Sequence, residues 1–382
     1  MRSPRVLALG LLVLSVPPAC TSAPAGPVSD SVADSSSDSP DSPDSHDSPD
    51  SPVDTDTGET PGTGAQVVLF IGDGMGLEQV AGAGLFANGA SGTLGLESLS
   101  SHGVLRTASL TGITDSAASG TAMATGVKTW NGHIGVDRDL TIVENLVERA
   151  RARGMATGIV TTDRLSGATP SSFVVHTEDR YSYSEISAAY LQVLPDVSLG
   201  GGADDFVDLV DTAVIDVVGT GAELAAYLPT GRPLLGLFAP TTFPYLVNGY
   251  GEAPSLADMT LKAIELLKQD PNGFFLMVEG ARIDHASHAN NGTEVFPEVV
   301  AFDEAITAGI AQLSEDATVL VTADHECGGL HVIAGNGAGV TPTIEWRYYG
   351  HTNADVGVWG TGPYTDVVEG MRLDNTPSLQ CN

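Results

Sequence analysis

Basic residues are scarce in this chain. Lysine and arginine together number 16 against 48 aspartates and glutamates, so the formal net charge is −32. A chain that acidic has no basic surface to neutralise a phosphodiester backbone, which excludes ordinary nucleic-acid binding. Cysteines are few as well, three in 382 residues, too few for a disulfide-built scaffold. Aromatic residues make up only 6% of the chain. No apolar run is long enough to span a bilayer. The longest near the start, Val6 to Val16, follows Arg2 and Arg5 and precedes Pro17-Pro18-Ala19-Cys20. That is the layout of a secretory signal with a short apolar core.

What is present divides into three parts. Residues 1–20 are read as a signal peptide whose Cys20 stands where a bacterial lipoprotein is cut and acylated. Plain secretion is the alternative. Residues 21–65 consist largely of Ser, Asp, Pro and Thr, with Asp41-Ser42-Pro43-Asp44-Ser45 and near-repeats of it. Such a segment has too little apolar surface to offset its ordering entropy and is expected to be disordered. As a random coil it would reach about 40 Å, either as a stalk or as a plain solubilising linker. Residues 66–382 are read as one catalytic domain. Cys327 and Cys381 are left to pair in an oxidising compartment if the fold brings them together.

The domain alternates buried strands with helices. Gln66–Ile71, Ala156–Thr162, Phe274–Val278 and Thr318–Thr322 are continuous apolar or β-branched runs, the signature of strands covered on both faces. Helices are expected at Val143–Ala152, Leu256–Gln269 and 298–312. The implied fold class is α/β, a three-layer α/β/α sandwich around a central, mostly parallel sheet. Residues 181–258 carry the weakest pattern.

Chemistry-bearing residues gather after the strands. Asp73 follows the first one, between Gly72 and Gly74. Glu279 follows the third and Asp324-His325 the fourth. Asp284 and His288 are four apart, so on a helix they share one face and can grip one ion. A solvated helix start is the plainer alternative. Thr114-Asp115-Ser116-Ala117-Ala118-Ser119 reads as the start of a helix, with a hydroxyl at its positive end. By itself that run is equally an ordinary N-cap. Arg180 offers either a surface charge or a guanidinium fork for a phosphoryl group. Acids at three strand ends, histidines near two of them and a serine at a helix start together fit a multi-metal phosphotransfer site.

These residues resemble the alkaline phosphatase family. The matching stretches are VVLFIGDGMG, TDSAASGTAMATGVKTWNG, ATPSSFVVHTEDR, FFLMVEGARIDHASH, VLVTADH and GHT, in the family's order, from about Val67 to Pro363. The resemblance implies hydrolysis of phosphate monoesters through a phosphoserine intermediate on Ser116. It implies two zinc ions and one magnesium. Asp284, His288 and His351 would hold the first zinc, and Asp73, Asp324 and His325 the second. Asp73, Thr169 and Glu279 would hold the magnesium. Arg180 would bind phosphate with Asp115 orienting it, and His285 would touch phosphate through water. Cys327, three residues after Asp324, is a further conceivable zinc ligand.

Gly167 departs from the pattern, because relatives often carry Asp or His there. The third site is therefore expected to lose a polar group and to have altered ion selectivity. The short intervals, 26 positions from His325 to His351 and 99 from Arg180 to Glu279, imply a compact member with an open site. They leave a homodimer open. The expected location is extracytoplasmic, periplasmic or at the cell surface, with membrane contact only through a lipid on Cys20. Rival readings are a phosphodiesterase or phosphonate hydrolase of the wider superfamily and a non-catalytic phosphate- or metal-binding surface protein.

Overall fold

The computed structural model describes residues 64–370 and 372–374. The signal segment with Cys20, the acidic linker up to residue 63 and Cys381 lie outside the described residues. Among the described residues no helix is long and apolar enough to cross a membrane. Cys327 is buried and free.

A ten-stranded sheet forms the centre. Its strands are β1 (Ala65–Gly72), β2 (Ser101–Arg106), β3 (Ala156–Arg164), β4 (Val197–Gly201), β5 (Asp216–Val218), β6 (Leu234–Leu237), β7 (Gly273–Gly280), β8 (Thr318–Thr322), β13 (Val356–Thr361) and β14 (Arg372–Asp374). Their spatial order is β14-β2-β13-β8-β1-β7-β3-β4-β6-β5. Only β13 runs against its neighbours β8 and β2, and every other pairing is parallel. Two small ribbons lie outside it: β9 (Glu326–Cys327) with β12 (His351–Thr352), and β10 (His331–Ala334) with β11 (Thr343–Glu345).

The apolar runs become the middle of this sheet. Val67 to Ile71 and Phe274 to Val278 are all at most 1% exposed. Paired residues of parallel strands share a face, and successive residues change face. Phe70 pairs with Val278, so Phe275, three residues earlier, points to the opposite side. Phe70 meets Phe302 edge to face at 6.2 Å between centroids, and Phe302 belongs to α8 (Gly292–Ile310). Phe275 stacks on Phe173 at 6.1 Å, just past α4 (Ala168–Ser172). Both faces are therefore covered by helices, as the three-layer expectation requires. Each such fully buried aromatic contributes on the order of 2–3 kcal/mol.

Other helices are α1 (Leu77–Asn88), α2 (Ser116–Thr125), α3 (Leu146–Ala152), α5 (Tyr183–Val193), α6 (Leu256–Leu267) and α7 (Arg282–His288), with two shorter ones at Ala203–Phe206 and Gly221–Ala226. Two helix starts depart from expectation. The helix read from 143 begins at Leu146, where Asn145 and Glu148 form a reciprocal cap. The helix read from 298 begins six residues earlier, at Gly292, and runs through Pro297. Val295 and Phe296, both fully buried, anchor the turn that proline would otherwise end.

Register decides where the chemistry sits. Ile71 pairs with Glu279 on one side and Thr322 on the other, and Glu279 pairs with Thr161. Four adjacent strands thus reach one level at their carboxyl ends. Asp73 lies two residues past Ile71, Asp324 two past Thr322 and Asp163 two past Thr161. The crevice beyond those ends is where open α/β sheets place ligands.

Candidate active site

Ser116 opens α2 and is 4% exposed. Every residue of that helix is buried, and all but Met123 are alanine, glycine, serine or threonine, small enough to pack close to its neighbours. Asp115 is the N-cap: its Oδ1 accepts from the Ala118 N–H at 2.9 Å. Asp115 thus caps the helix, and the Ser116 hydroxyl is free for another role. It lies 3.3 Å from His325 Nε2.

His325 Nε2 is the hub of the cluster. Besides Ser116 Oγ it stands 3.1 Å from Asp324 Oδ2 and 3.5 Å from Asp73 Oδ1. One ring nitrogen donates at most one hydrogen, so most of these oxygens stay unserved. Asp324 is fixed by its other oxygen, which accepts from the Gly74 N–H at 3.0 Å and the His325 N–H at 2.8 Å. Gly74 has φ +69°, and a Cβ there would come within 2.7 Å of Asp284 Oδ1. Only glycine lets this turn bring the Asp73 loop against Asp284.

A second group surrounds Asp284. His288 Nε2 is 3.4 Å from Asp284 Oδ2, His351 Nε2 is 3.6 Å from Asp284 Oδ1, and the two imidazole nitrogens are 3.0 Å apart. The far nitrogens are tethered to backbone carbonyls. His288 Nδ1 meets Tyr349 O at 2.9 Å and His351 Nδ1 meets Thr114 O at 2.8 Å. That tethering is how proteins orient metal-binding imidazoles. The His325 and His351 rings stack at 3.5 Å, joining the two groups.

The donors fit divalent cations. Asp73 Oδ1, Asp284 Oδ1, Asp324 Oδ2 and Thr169 Oγ1 are buried without hydrogen-bond partners. Donor atoms of Asp73, Asp284 and His325 form one compact set, and those of Asp284, His288, Cys327 and His351 another, each within 4.8 Å. Zinc–ligand bonds near 2.0 Å in a tetrahedron separate the ligands by about 3.3 Å, the spacing seen in both groups. Asp324 stands beside the first set through its contact with His325. The Cys327 sulfur lies with the second set.

Electrostatics point the same way. Burial and then the charge of Asp324 hold Asp73 well above the usual carboxylate range. Burial, reinforced by Asp163, pushes Glu279 up to about 8. Burial opposes ionisation of Asp324 too, but the adjacent His325 brings it down to about 2. His325 is raised in return by Asp324 despite its burial. Burial and the neighbouring His325 lower His351. Cations in the cluster would relieve this crowding of buried acids.

Arg180 is tied to the serine helix. Its guanidinium donates to Asp115 Oδ2 at 2.9 Å, and the same oxygen accepts from the Gly132 N–H. The Asp115 charge keeps the guanidinium protonated against burial. His285 is partly buried, and burial lowers its pKa. The Arg282 guanidinium donates to His285 Nδ1 at 2.5 Å, so only Nε2 is left for another contact.

Among the described residues, Asp73, Glu279 and Asp324-His325 lie at the carboxyl ends of β1, β7 and β8, while Ser116, Thr169, Asp284, His285 and His288 lie on helices, His351 on β12 and Arg180 in a turn held by Asp115. Asp163 is a site neighbour that the sequence pattern does not single out: the run expected to end at Thr162 continues as β3 to Arg164, so Asp163 falls within the strand, where Asp73 and Asp324 follow theirs.

The chain matches the family model described as alkaline phosphatase over residues 65–232 and 218–342. It belongs to the alkaline phosphatase family. Alkaline phosphatase H of Pseudomonas aeruginosa is 36% identical over 326 residues, covering 68% of each chain. Streptomycin-6-phosphate phosphatase of Streptomyces griseus is 32% identical over 401 residues, covering 83% of this chain and 89% of its own. Among solved structures, the cold-active alkaline phosphatase of a Shewanella species superposes with a TM-score of 0.74 at 28% identity, covering 81% of this chain and 96% of its own. A histidine-to-aspartate mutant of the alkaline phosphatase from the Antarctic bacterium TAB5, with magnesium bound in the M3 site, gives 0.72 at 30% identity, covering 82% and 95%. This chain is thus a phosphatase enzyme of the α/β class, with phosphate monoesters as its general substrates.

Proposed function

We propose that this alkaline phosphatase hydrolyses phosphate monoesters through a phosphoserine intermediate at a site built for two zinc ions and one magnesium. The observation that carries the reading is the Ser116 hydroxyl, 3.3 Å from His325 Nε2 and beside an arginine held by the neighbouring residue. Asp284, His288 and His351 would hold one zinc, and Asp73, Asp324 and His325 the other. Asp73, Thr169 and Glu279 would hold the magnesium. When bound, the cations supply Lewis-acid stabilisation for the attacking and leaving oxygens.

The chain's own residues do the rest. Ser116 Oγ attacks phosphorus, the O–P bond to the alcohol breaks, and the alcohol leaves with a proton. Arg180 clamps nonbridging oxygens, and Asp115 sets where it can reach. The N-terminus of α2 adds its positive dipole end beside the same oxygens. His285 orients the phosphoryl group through water. Water then attacks the phosphoserine from the side the alcohol vacated, Ser116 Oγ departs and phosphate is released. Outside the described residues, we assign residues 1–20 to export and Cys20 to lipid attachment. The enzyme would then act outside the cytoplasm, at the cell envelope.

The test is Ser116→Ala in zinc- and magnesium-loaded protein, assayed on chromogenic phosphate mono- and diesters at alkaline pH. Monoester turnover should fall by at least about 10³-fold while metal content stays unchanged. Undiminished turnover in the variant overturns the covalent route, and a wild type that prefers diesters overturns the substrate class. Elemental analysis of the same wild-type preparation checks the two-to-one stoichiometry.

A further inference from the structure

Gly167 removes a side chain next to Thr169, and the fold puts a carboxylate in its place. A Cβ on Gly167 would lie 2.4 Å from Asp163 Oδ2, far inside contact distance. The Asp163 carboxylate therefore fills the space a side chain at 167 would need. Asp163 sits on β3, two residues past Thr161, which pairs with Glu279 in the sheet. The Asp163 N–H donates to Thr161 Oγ1 at 2.8 Å, and that hydroxyl donates to Glu279 Oε2 at 2.5 Å. A short relay thus joins Asp163 to the carboxylate expected to hold magnesium.

Two buried atoms here have no partner: Asp163 Oδ1 and Thr169 Oγ1. Thr169 is 1% exposed, so water does not serve its hydroxyl freely. Orphaned buried oxygens are costly unless a cation or an ordered water serves them. Asp163 offers oxygen, as do Asp73, Thr169 and Glu279, the three residues expected to hold the magnesium. That composition suits a hard divalent cation such as magnesium or manganese and disfavours zinc.

We propose that Asp163 is the fourth protein residue of the third cation site, delivering from β3 the polar group that Gly167 lacks. The inference rests on the metal-dependent reading above. It reverses the sequence expectation of a depleted site: the site is rebuilt from a different position and carries an additional negative charge.

The experiment compares wild type, Asp163→Asn and the double variant Asp163→Ala with Gly167→Asp, all zinc-loaded. Equilibrium dialysis against magnesium or manganese, followed by elemental analysis, gives the third ion's affinity and the zinc content. Manganese spectra by electron paramagnetic resonance report bound against free ion without any assay of turnover. Wild type should retain one third ion beside two zincs. Asp163→Asn should bind that ion at least tenfold more weakly with zinc unchanged. The double variant should recover it, because the carboxylate returns from position 167 into the space Asp163 vacates. Equal third-ion affinity in wild type and Asp163→Asn overturns the assignment. If Asp163→Asn misfolds, the double variant decides, and a folded double variant without the third ion overturns it. A wild type that holds zinc but no third ion at millimolar magnesium or manganese overturns it too. A wild type that binds neither zinc nor magnesium overturns the underlying metal reading instead.

Discussion

Asp115 divides its two carboxylate oxygens: Oδ1 caps the helix that Ser116 opens, and Oδ2 holds Arg180 at 2.9 Å together with the Gly132 N–H. The nucleophile and the anion-binding guanidinium are thereby indexed to one side chain. That rigidity has a consequence for phosphate. An arginine already paired with a carboxylate pulls less strongly on a second anion.

Asp115→Asn tests this. The amide oxygen still accepts from Ala118, so α2 keeps its cap. The charge competing for Arg180 is gone. Inorganic phosphate should then inhibit more tightly, roughly three- to tenfold for a partly exposed pair of this kind. Product-inhibition constants measured for both proteins check it. Weaker phosphate inhibition in the variant would show that Asp115 acts chiefly by positioning Arg180.

The sequence made the centre of the sheet legible because β1, β7 and β8 are apolar on both faces and end in acids. Those strands carry Asp73, Glu279 and Asp324, and α7 carries Asp284 and His288, so most of the site could be read directly. The edges were not legible. β4, β5 and β6 hold three to five residues each and contain glycine and aspartate, so their patterns are too short to stand out. Asp163 was lost for a different reason. It lies in the last two residues of β3, past the apolar run, where the pairing with β4 slips between Val160 and Arg164. Side-chain periodicity cannot reveal that its carboxylate folds back over Gly167, because that contact depends on a turn four residues long. The sequence names Cys327 only by its nearness to Asp324, and it is the pairing of β9 with β12 that sets it opposite His351.

Removing the cations should destabilise the protein, and more so at high pH. Asp73, Glu279, Asp284 and Asp324 are all buried in one region. Glu279 without cations is raised to about 8 from an ordinary value of 4.5. A carboxyl raised in the folded state favours folding fully below its unfolded pKa, and that contribution is lost as pH climbs from about 4.5 through 8. Calorimetry with and without a chelator should therefore show a melting-temperature gap of several degrees at pH 8.5 and a smaller one at pH 6. A gap that narrows with rising pH would contradict the picture.

Cys327 is fully buried, and burial together with the neighbouring Asp284 carboxylate pushes its thiol pKa up. The thiol therefore stays protonated and donates to Asp284 while no cation is bound. Two results follow. Aromatic disulfide reagents should leave the folded protein unmodified, because the thiolate is the reacting form. Cys327→Ala should loosen zinc at Asp284, His288 and His351 by about tenfold, whereas Cys327→Ser, which keeps a donor, should lose less. Zinc release to a colorimetric chelator separates the two variants. Equal zinc retention in both would remove Cys327 from the site.

Glu298 gives a pH dependence that the metals do not touch. It lies on α8, 5% exposed, with Oε1 accepting from the Leu246 N–H at 2.7 Å and Oε2 from the Tyr250 hydroxyl at 3.4 Å. Burial raises its pKa from 4.5 to about 7, more than those hydrogen bonds lower it. The sign follows from the raised value: protonated Glu298 favours the folded state below pH 4.5, and the advantage drains away as pH rises to about 7. The full change is at most roughly 3 kcal/mol for a shift of this size. Glu298→Gln stays neutral throughout and keeps an acceptor for Leu246. Its stability in urea should thus fall less steeply between pH 4.5 and 7 than that of the wild type. At pH 8 the variant should match or exceed the wild type, since it buries no charge. Parallel pH profiles for the two proteins would mean that Glu298 stays ionised in the fold, with Leu246 and Tyr250 offsetting its burial completely.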